Sequence, residues 1–186
     1  MDRRQRKTRK SIYEAFESLM MQEHYASVTV AQIIQRADIG RSTFYAHFET
    51  KDELLNQMCA EMFDHIFEGV NEQCTTHFGL QTTSLNGVLA HLLYHLRDSH
   101  SGVCGKLLSE GEPHFCAYFA HELSALLKRR VQLPESSADL RLAMLSATFL
   151  QAITWWFANG TTLSPEEVAE CFLDTCNVVE AKGASA

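Results

Sequence analysis

Proline is nearly missing from this chain. Only Pro113, Pro134 and Pro165 occur in 186 residues, so the first 112 positions meet no proline break. Long alternation of apolar and polar residues is also missing, which removes the pattern of a half-buried strand and leaves an all-α reading. No run of about 18 apolar residues exists, so a membrane-spanning helix is not expected. The basic N-terminus leads into the amphipathic "SIYEAFESLM" and not into an apolar signal region, so the cytoplasm is the expected address. The six cysteines, Cys59, Cys74, Cys104, Cys116, Cys171 and Cys176, form no C-x-x-C pair and read as small hydrophobes in a reducing compartment. Nor is there a G-x-S-x-G elbow, a P-loop, an H-E-x-x-H pair or a glycine-rich dinucleotide loop. With no catalytic constellation and no cofactor motif, the chain does not read as an enzyme.

Positive charge is scarce overall, at net −7, but it is gathered in one place. The opening "MDRRQRKTRK" holds six basic side chains against one acidic. Residues 1–50 carry 8 basic and 6 acidic side chains, net +2, while residues 51–186 carry 8 and 17, net −9. A basic arm on an acidic body suits local contact with phosphate by a protein that otherwise repels nucleic acid.

Helical spacing runs through the whole chain. Ile12, Ala15, Phe16, Leu19 and Met20 predict a helix over about 8–23. "TVAQ" is a capping box that opens a short helix at Thr29 and ends it by Ala37, and "TKDE" opens a long one at Thr50, expected to end between 71 and 78. Further helices are predicted over about 85–98, in "VCGKLLSEG", and from Pro113 to about Val131. The segment 138–158 is apolar on nearly every face and must be covered on more than one side. "NG" stops it, and "SPEE" starts a last helix whose inward stripe is Val168, Cys171, Phe172, Thr175 and Val179.

Two short helices around "ADIG" fit a helix-turn-helix, in which the second helix enters the major groove with its first residues at the base edges. The first turn of that helix offers Arg41, Ser42 and Thr43, Tyr45 adds a hydroxyl on a rigid ring, and Phe44 and Phe48 face back into the protein. Polar side chains at a helix N-terminus act together with free N–H groups and the helix dipole on a phosphate.

The stretch "TVAQIIQRADIGRSTFYAHFETKDELL", behind a basic arm and an amphipathic helix, resembles the TetR family of ligand-responsive transcription regulators over about residues 8–58. The carrying elements are Thr29–Val30, the turn at Ala37–Ile39, "STFYAHF", and Lys51 followed by "DELL"; "WWFANGTTLSPEEVAECF" resembles one of the family's C-terminal variants. The resemblance implies that Arg41, Ser42 and Thr43 face bases or adjacent phosphates, and that Thr29, Tyr45 and Lys51 contact the phosphate backbone, with His47 supporting that contact or packing. Two positions depart from the family's pattern. Asp38 stands where a turn glycine is usual, and Gly40 stands where a small polar cap is usual, so one phosphate contact is in question.

The resemblance further implies a three-helix DNA-binding domain with a helix-turn-helix over residues 1–50. A larger helical effector-binding and dimerisation domain follows over 51–186, making about nine helices in all. Partners would be a palindromic double-stranded operator, a second copy of the chain and a small-molecule effector, with no membrane. Expected lining of the effector pocket is Met62, Phe63, Ile66, Leu92, Leu96, Phe115, Tyr118, Phe119 and Trp155. The dimer contact is expected on the last two helices, at Phe149, Ile153, Trp156, Val168, Phe172 and Thr175. Two alternatives stand beside this: a metal or thiol sensor of the same fold, and a helical protein-interaction module that reads no DNA. His91, His95, His100, His114, Cys116 and His121 are the residues a metal would use, with Cys104 and Cys116 the thiols.

Overall fold

The computed structural model describes residues 3–68, 83–98 and 103–181, the side chains of 62–68 apart. Among these residues the secondary structure is α-helical, with two 3₁₀ turns and one isolated antiparallel bridge between Val131 and Glu180.

Helix α1 spans Arg3–Met20, so it starts five residues before the position its apolar spacing suggested and takes in most of the basic arm. Arginine, lysine and glutamine are good helix formers, and nothing in "RRQRKTRK" breaks a helix. Its inward stripe is Ile12, Ala15, Phe16, Leu19 and Met20, as the spacing implied. A 3₁₀ turn, Tyr25–Ser27, leads to α2 (Val30–Arg36), and a four-residue turn leads to α3 (Arg41–Tyr45). Phe16 meets Tyr25 edge-on at 6.2 Å, and Phe44 and Phe48 lie 5.9 Å apart, so aromatic rings fill the small core beneath α3.

Helix α4 (Lys51–Glu68) leaves this head and enters the body; its expected end at 71–78 lies outside the described residues. Leu54 and Leu55 are buried near its start. The body consists of α5 (Leu85–Asp98), α6 (Val103–Ser109), α7 (Pro113–Arg130), α8 (Ala138–Ala158) and α9 (Pro165–Thr175). Helix α5 packs on α9 and α7 on α8, while α6 lies across α8. That crossing needs a glycine: a Cβ on Gly105 would sit 2.6 Å from the Phe157 ring. Ser146, buried in α8, shares a 2.7 Å hydrogen bond with Ser124 of α7, so the one hydroxyl sunk in that interface is satisfied.

Helix α9 begins where its capping chemistry says it should. Ser164 accepts from the Glu167 N–H, the Glu167 carboxylate accepts from the Ser164 N–H at 2.7 Å, and Pro165 occupies the first turn. Cys171, Thr175 and Val179 depart from the expected inward stripe, because all three are exposed while Val168 and Phe172 are buried. Helix α9 stops at Thr175, and Val179 lies exposed beyond it, where its carbonyl accepts from the Gln132 N–H at 2.9 Å.

Candidate DNA interface and the body behind it

The turn between α2 and α3 is held in an unusual backbone shape. Asp38 has φ +52°, the left-handed region that glycine enters freely and aspartate tolerates. Ile39 N–H then donates to the Ile34 carbonyl at 3.3 Å, closing the end of α2. Asp38→Val is expected to lower the thermal midpoint, at a cost of about 1–2 kcal/mol for a branched side chain at positive φ, whereas Asp38→Gly is not. Parallel melting curves of the two variants check this.

Gly40 caps α3 with no side-chain bond, so this helix start lacks the usual oxygen acceptor. From that cap α3 sorts its residues by depth. Phe44 is fully buried, Thr43 and His47 are half-buried, and Arg41, Ser42, Tyr45 and Ala46 face outward, with Tyr45 48% exposed. No described residue hydrogen-bonds the Arg41 guanidinium or the Ser42 and Tyr45 hydroxyls, so all three are open to a partner. The Tyr45 ring stands edge-on to Phe44 at 5.5 Å, which fixes its direction. His47 lies against Phe48, with ring centroids 6.1 Å apart.

Two other expected contacts have other jobs. Thr29 closes the α2 capping box: its N–H donates to Gln32 Oε1 at 2.7 Å and its Oγ1 accepts from the Gln32 N–H. Gln32 Nε2 in turn donates to the Glu23 carboxylate at 3.0 Å. Lys51 is turned inward. Its Nζ donates to the carbonyls of Tyr25 at 2.6 Å and Val28 at 2.8 Å and lies 4.0 Å from the Tyr25 ring centre. Burial pulls its ammonium below the ordinary lysine value, opposed by the neighbouring Asp52 and Glu112 charges. The Tyr25 hydroxyl donates to Asp52, and burial together with that carboxylate pushes the phenol far above its usual range. Lys51 therefore braces the 3₁₀ turn against α4, a role that periodicity could not reveal.

Of the basic arm, Arg3, Arg4, Arg6, Lys7 and Lys10 are exposed. Arg9 instead reaches Glu61 of α4 at 2.6 Å, donates to the Tyr13 hydroxyl at 2.8 Å and lies over the Tyr13 and Phe48 rings. A second tie comes from α6, where Lys106 Nζ donates to the carbonyl of Met20, the last residue of α1, at 2.6 Å and to that of Glu23, just beyond the helix, at 2.9 Å. His24 lies 3.0 Å from Glu110 beside it. Head and body are thus joined through both α4 and α6.

In the body, Leu92, Leu96, Phe115 and Phe119 are fully buried and Tyr118 is half-buried. Met62, Phe63 and Ile66, expected on the same cavity wall, lie outside the described side chains. Trp155 does not join them, because it is 51% exposed on the far face of α8. The expected dimer residues turn inward too. Phe149, Ile153, Trp156, Val168 and Phe172 are buried by their own chain, with the Phe149 and Phe172 rings tilted against each other at 4.8 Å, leaving only Thr175 of the six exposed. A side chain already covered has no surface for a partner, so those five are core. The uncovered face of α8 carries Leu140, Met144 and Trp155.

His91 and His95 share a 2.9 Å contact between their Nε2 atoms on successive turns of α5; His100 lies outside the described residues. Among the described residues no group of three or more histidine, cysteine or acidic side chains converges as a metal site would require. Burial pushes the Cys104 thiol up to about 12 and Cys59 higher still, and burial with Glu112 raises Cys116, so these sulfurs stay protonated at neutral pH. No helix among the described residues is long and apolar enough to cross a membrane.

Residues 9–58 match the family model described as bacterial regulatory proteins, tetR family. Over 71 residues the chain is 39% identical to an HTH-type transcriptional regulator of Bacillus subtilis (strain 168), YxbF, covering 36% of this chain and 19% of that protein. Over 78 residues it is 33% identical to DhaS of Lactococcus lactis, an HTH-type transcriptional activator of the dhaKLM operon, covering 42% of this chain and 40% of that one. The chain therefore spans less than half the length of these curated relatives. Among solved structures, a TetR transcriptional regulator from Streptococcus agalactiae 2603V matches with a TM-score of 0.73 and 27% identity, covering 94% of this chain and 96% of that one.

Proposed function

We propose, for a chain that belongs to the TetR family of transcriptional regulators, that it works as a homodimer on a palindromic operator and is released from it by a small-molecule effector. Residues 1–50 serve as the reading head and 51–186 as the effector-binding and dimerising body, with α4 common to both. One observation carries the DNA reading: α3 buries Phe44 while presenting Arg41, Ser42 and Tyr45 outward without a partner. Phe44 fixes the helix, and the three polar groups face the bases and phosphates of a major groove. Ala46 beside them offers a methyl surface, suited to a thymine methyl. The exposed arm of α1 adds sequence-independent charge.

Buried apolar side chains of α5 and α7 fit an effector of mainly apolar character, and α4 and α6 give its binding two routes to the head. The Arg9–Glu61 ion pair and the Lys106 cap on α1 are the contacts through which a shift in the body reaches α1. Repression relieved by effector is the sense we favour.

Selection of bound DNA from a random pool tests the proposal: a palindrome with half-sites about one helical turn apart is expected, and no enrichment at low salt would sink it. On the selected site, Arg41→Ala is expected to cost about 1–3 kcal/mol and relax the preference at its base pair. Tyr45→Phe is expected to weaken all sequences about equally. Titrations across a panel of single-base variants separate the two.

A further inference from the structure

Two polar side chains are fully buried among the described residues, Ser146 and His91. The Ser146 hydroxyl is satisfied by Ser124, whereas His91 belongs to an apolar run of α5 in which Leu89, Ala90, Leu92 and Leu93 are buried too. An imidazole is costly to sink in such a run unless something engages its nitrogens. One turn further along stands His95, half-buried, and residues four apart share one face of a helix. The two Nε2 atoms lie 2.9 Å apart and the two ring centres 4.5 Å apart.

Those two distances decide between two ways for a pair of imidazoles to meet. In a straight N–H···N hydrogen bond of this length the rings point at each other, which sets their centres about 5.2 Å apart. The observed centres are closer, so the rings lean, and each nitrogen aims off the line that joins them. Both side chains leave the same face of one helix, so they lean from the same side and their lone pairs converge in front of the pair. Two imidazoles bound at right angles to one metal ion, with bonds of about 2.1 Å, place their nitrogens about 3.0 Å and their ring centres about 4.6 Å apart. Around the tetrahedral ion that zinc prefers to be, the nitrogens would stand about 3.4 Å apart. The right-angled arrangement is the one His91 and His95 already hold.

The geometry points to a binding site for a divalent transition-metal ion at His91 and His95, of the class that takes right-angled nitrogen ligands, Ni²⁺ or Cu²⁺. It does not depend on the operator or on a second copy of the chain. A closed structural site takes more protein ligands than two, and among the described residues no third histidine, cysteine or acidic side chain joins this pair. Water therefore completes the coordination, and the ion is exchangeable. His95, the less buried of the two, gives the ion its way in. Once bound, the ion clamps two successive turns of α5, the helix packed on α9 and α4.

Calorimetric titration with nickel chloride alone is the first test, on untagged protein stripped with a chelator. One ion per chain is expected, with a rise in the thermal midpoint as nickel is added, since the ion binds the folded state. The second test reads the ligands directly. The electron paramagnetic resonance spectrum of the Cu²⁺-loaded protein should show coupling to two imidazole nitrogens. His95→Gln, at a half-buried position, should leave circular dichroism unchanged, weaken nickel binding at least about tenfold and leave a single nitrogen on copper. The double variant His114→Ala, His121→Ala, which removes two exposed histidines of α7, should keep both signals. An absence of saturable nickel binding, one nitrogen or none on copper in the wild-type chain, unchanged binding in His95→Gln, or zinc held more tightly than nickel overturns the proposal. The copper spectrum of the wild-type chain decides even where a histidine variant fails to fold.

Discussion

Replacing Phe44 with alanine is expected to dissolve the reading head and abolish operator binding. Helix α3 has only five residues, about one and a half turns, which is too short to persist by its own hydrogen bonds. Its cap, Gly40, adds no side-chain bond. What seats the helix is therefore burial. Phe44 is fully enclosed, with Phe48 at 5.9 Å and Tyr45 edge-on at 5.5 Å. Cutting a buried phenylalanine back to alanine costs about 3–5 kcal/mol, against a total of about 5–15 kcal/mol for an ordinary domain. Chemical denaturation followed by circular dichroism, paired with operator binding, provides the check. Phe44→Leu should keep most of both signals. A Phe44→Ala protein with the wild-type midpoint and affinity would show that α3 is held by something other than its aromatic core.

The same burial explains which parts of the molecule could be read from the sequence. Helix ends were legible where capping is local: "TVAQ" and "SPEE" each place an acceptor three residues from its donor, and both boxes form. The left-handed turn at Asp38 was legible for a similar reason, since few residues other than glycine accept φ +52°. The arm's helicity had a signal too, a run of good helix formers, but apolar spacing alone does not register it.

Faces of α8 were not legible. With apolar residues all round, periodicity does not say which side is core and which is open. Trp155 and Trp156 are adjacent and about 100° apart on the helix, yet Trp156 is fully buried, donating to the Leu163 carbonyl at 2.8 Å, while Trp155 stands outside. That difference comes from where the other helices of the body pack against α8, which is a tertiary fact. The same limit applies to lysine. Lys51 and Lys106 each reach carbonyls far away in sequence, and no pattern of spacing points a flexible ammonium at a particular carbonyl.

Lys51→Met is accordingly expected to fail in stability and not in phosphate contact. The substitution keeps the length of the stem and removes every donor. Two carbonyls, those of Tyr25 and Val28, lose a charged partner that now lies 2.6 and 2.8 Å away, at the joint where the 3₁₀ turn meets α4. Hydrogen bonds to a charged group contribute about 1.5–3 kcal/mol each, and because both bonds share one ammonium their losses do not simply add. A drop in stability on the order of 2–3 kcal/mol is expected, with a lower thermal midpoint. The ring contact to Tyr25 at 4.0 Å is lost as well. A lysine on a phosphate would behave otherwise: its loss would leave the melting curve in place and reduce the slope of log affinity against log salt by about one. Measured below its midpoint, the folded Lys51→Met protein should keep the wild-type salt slope. A shallower slope with an unchanged midpoint would return Lys51 to the DNA and take away its part in bracing the head.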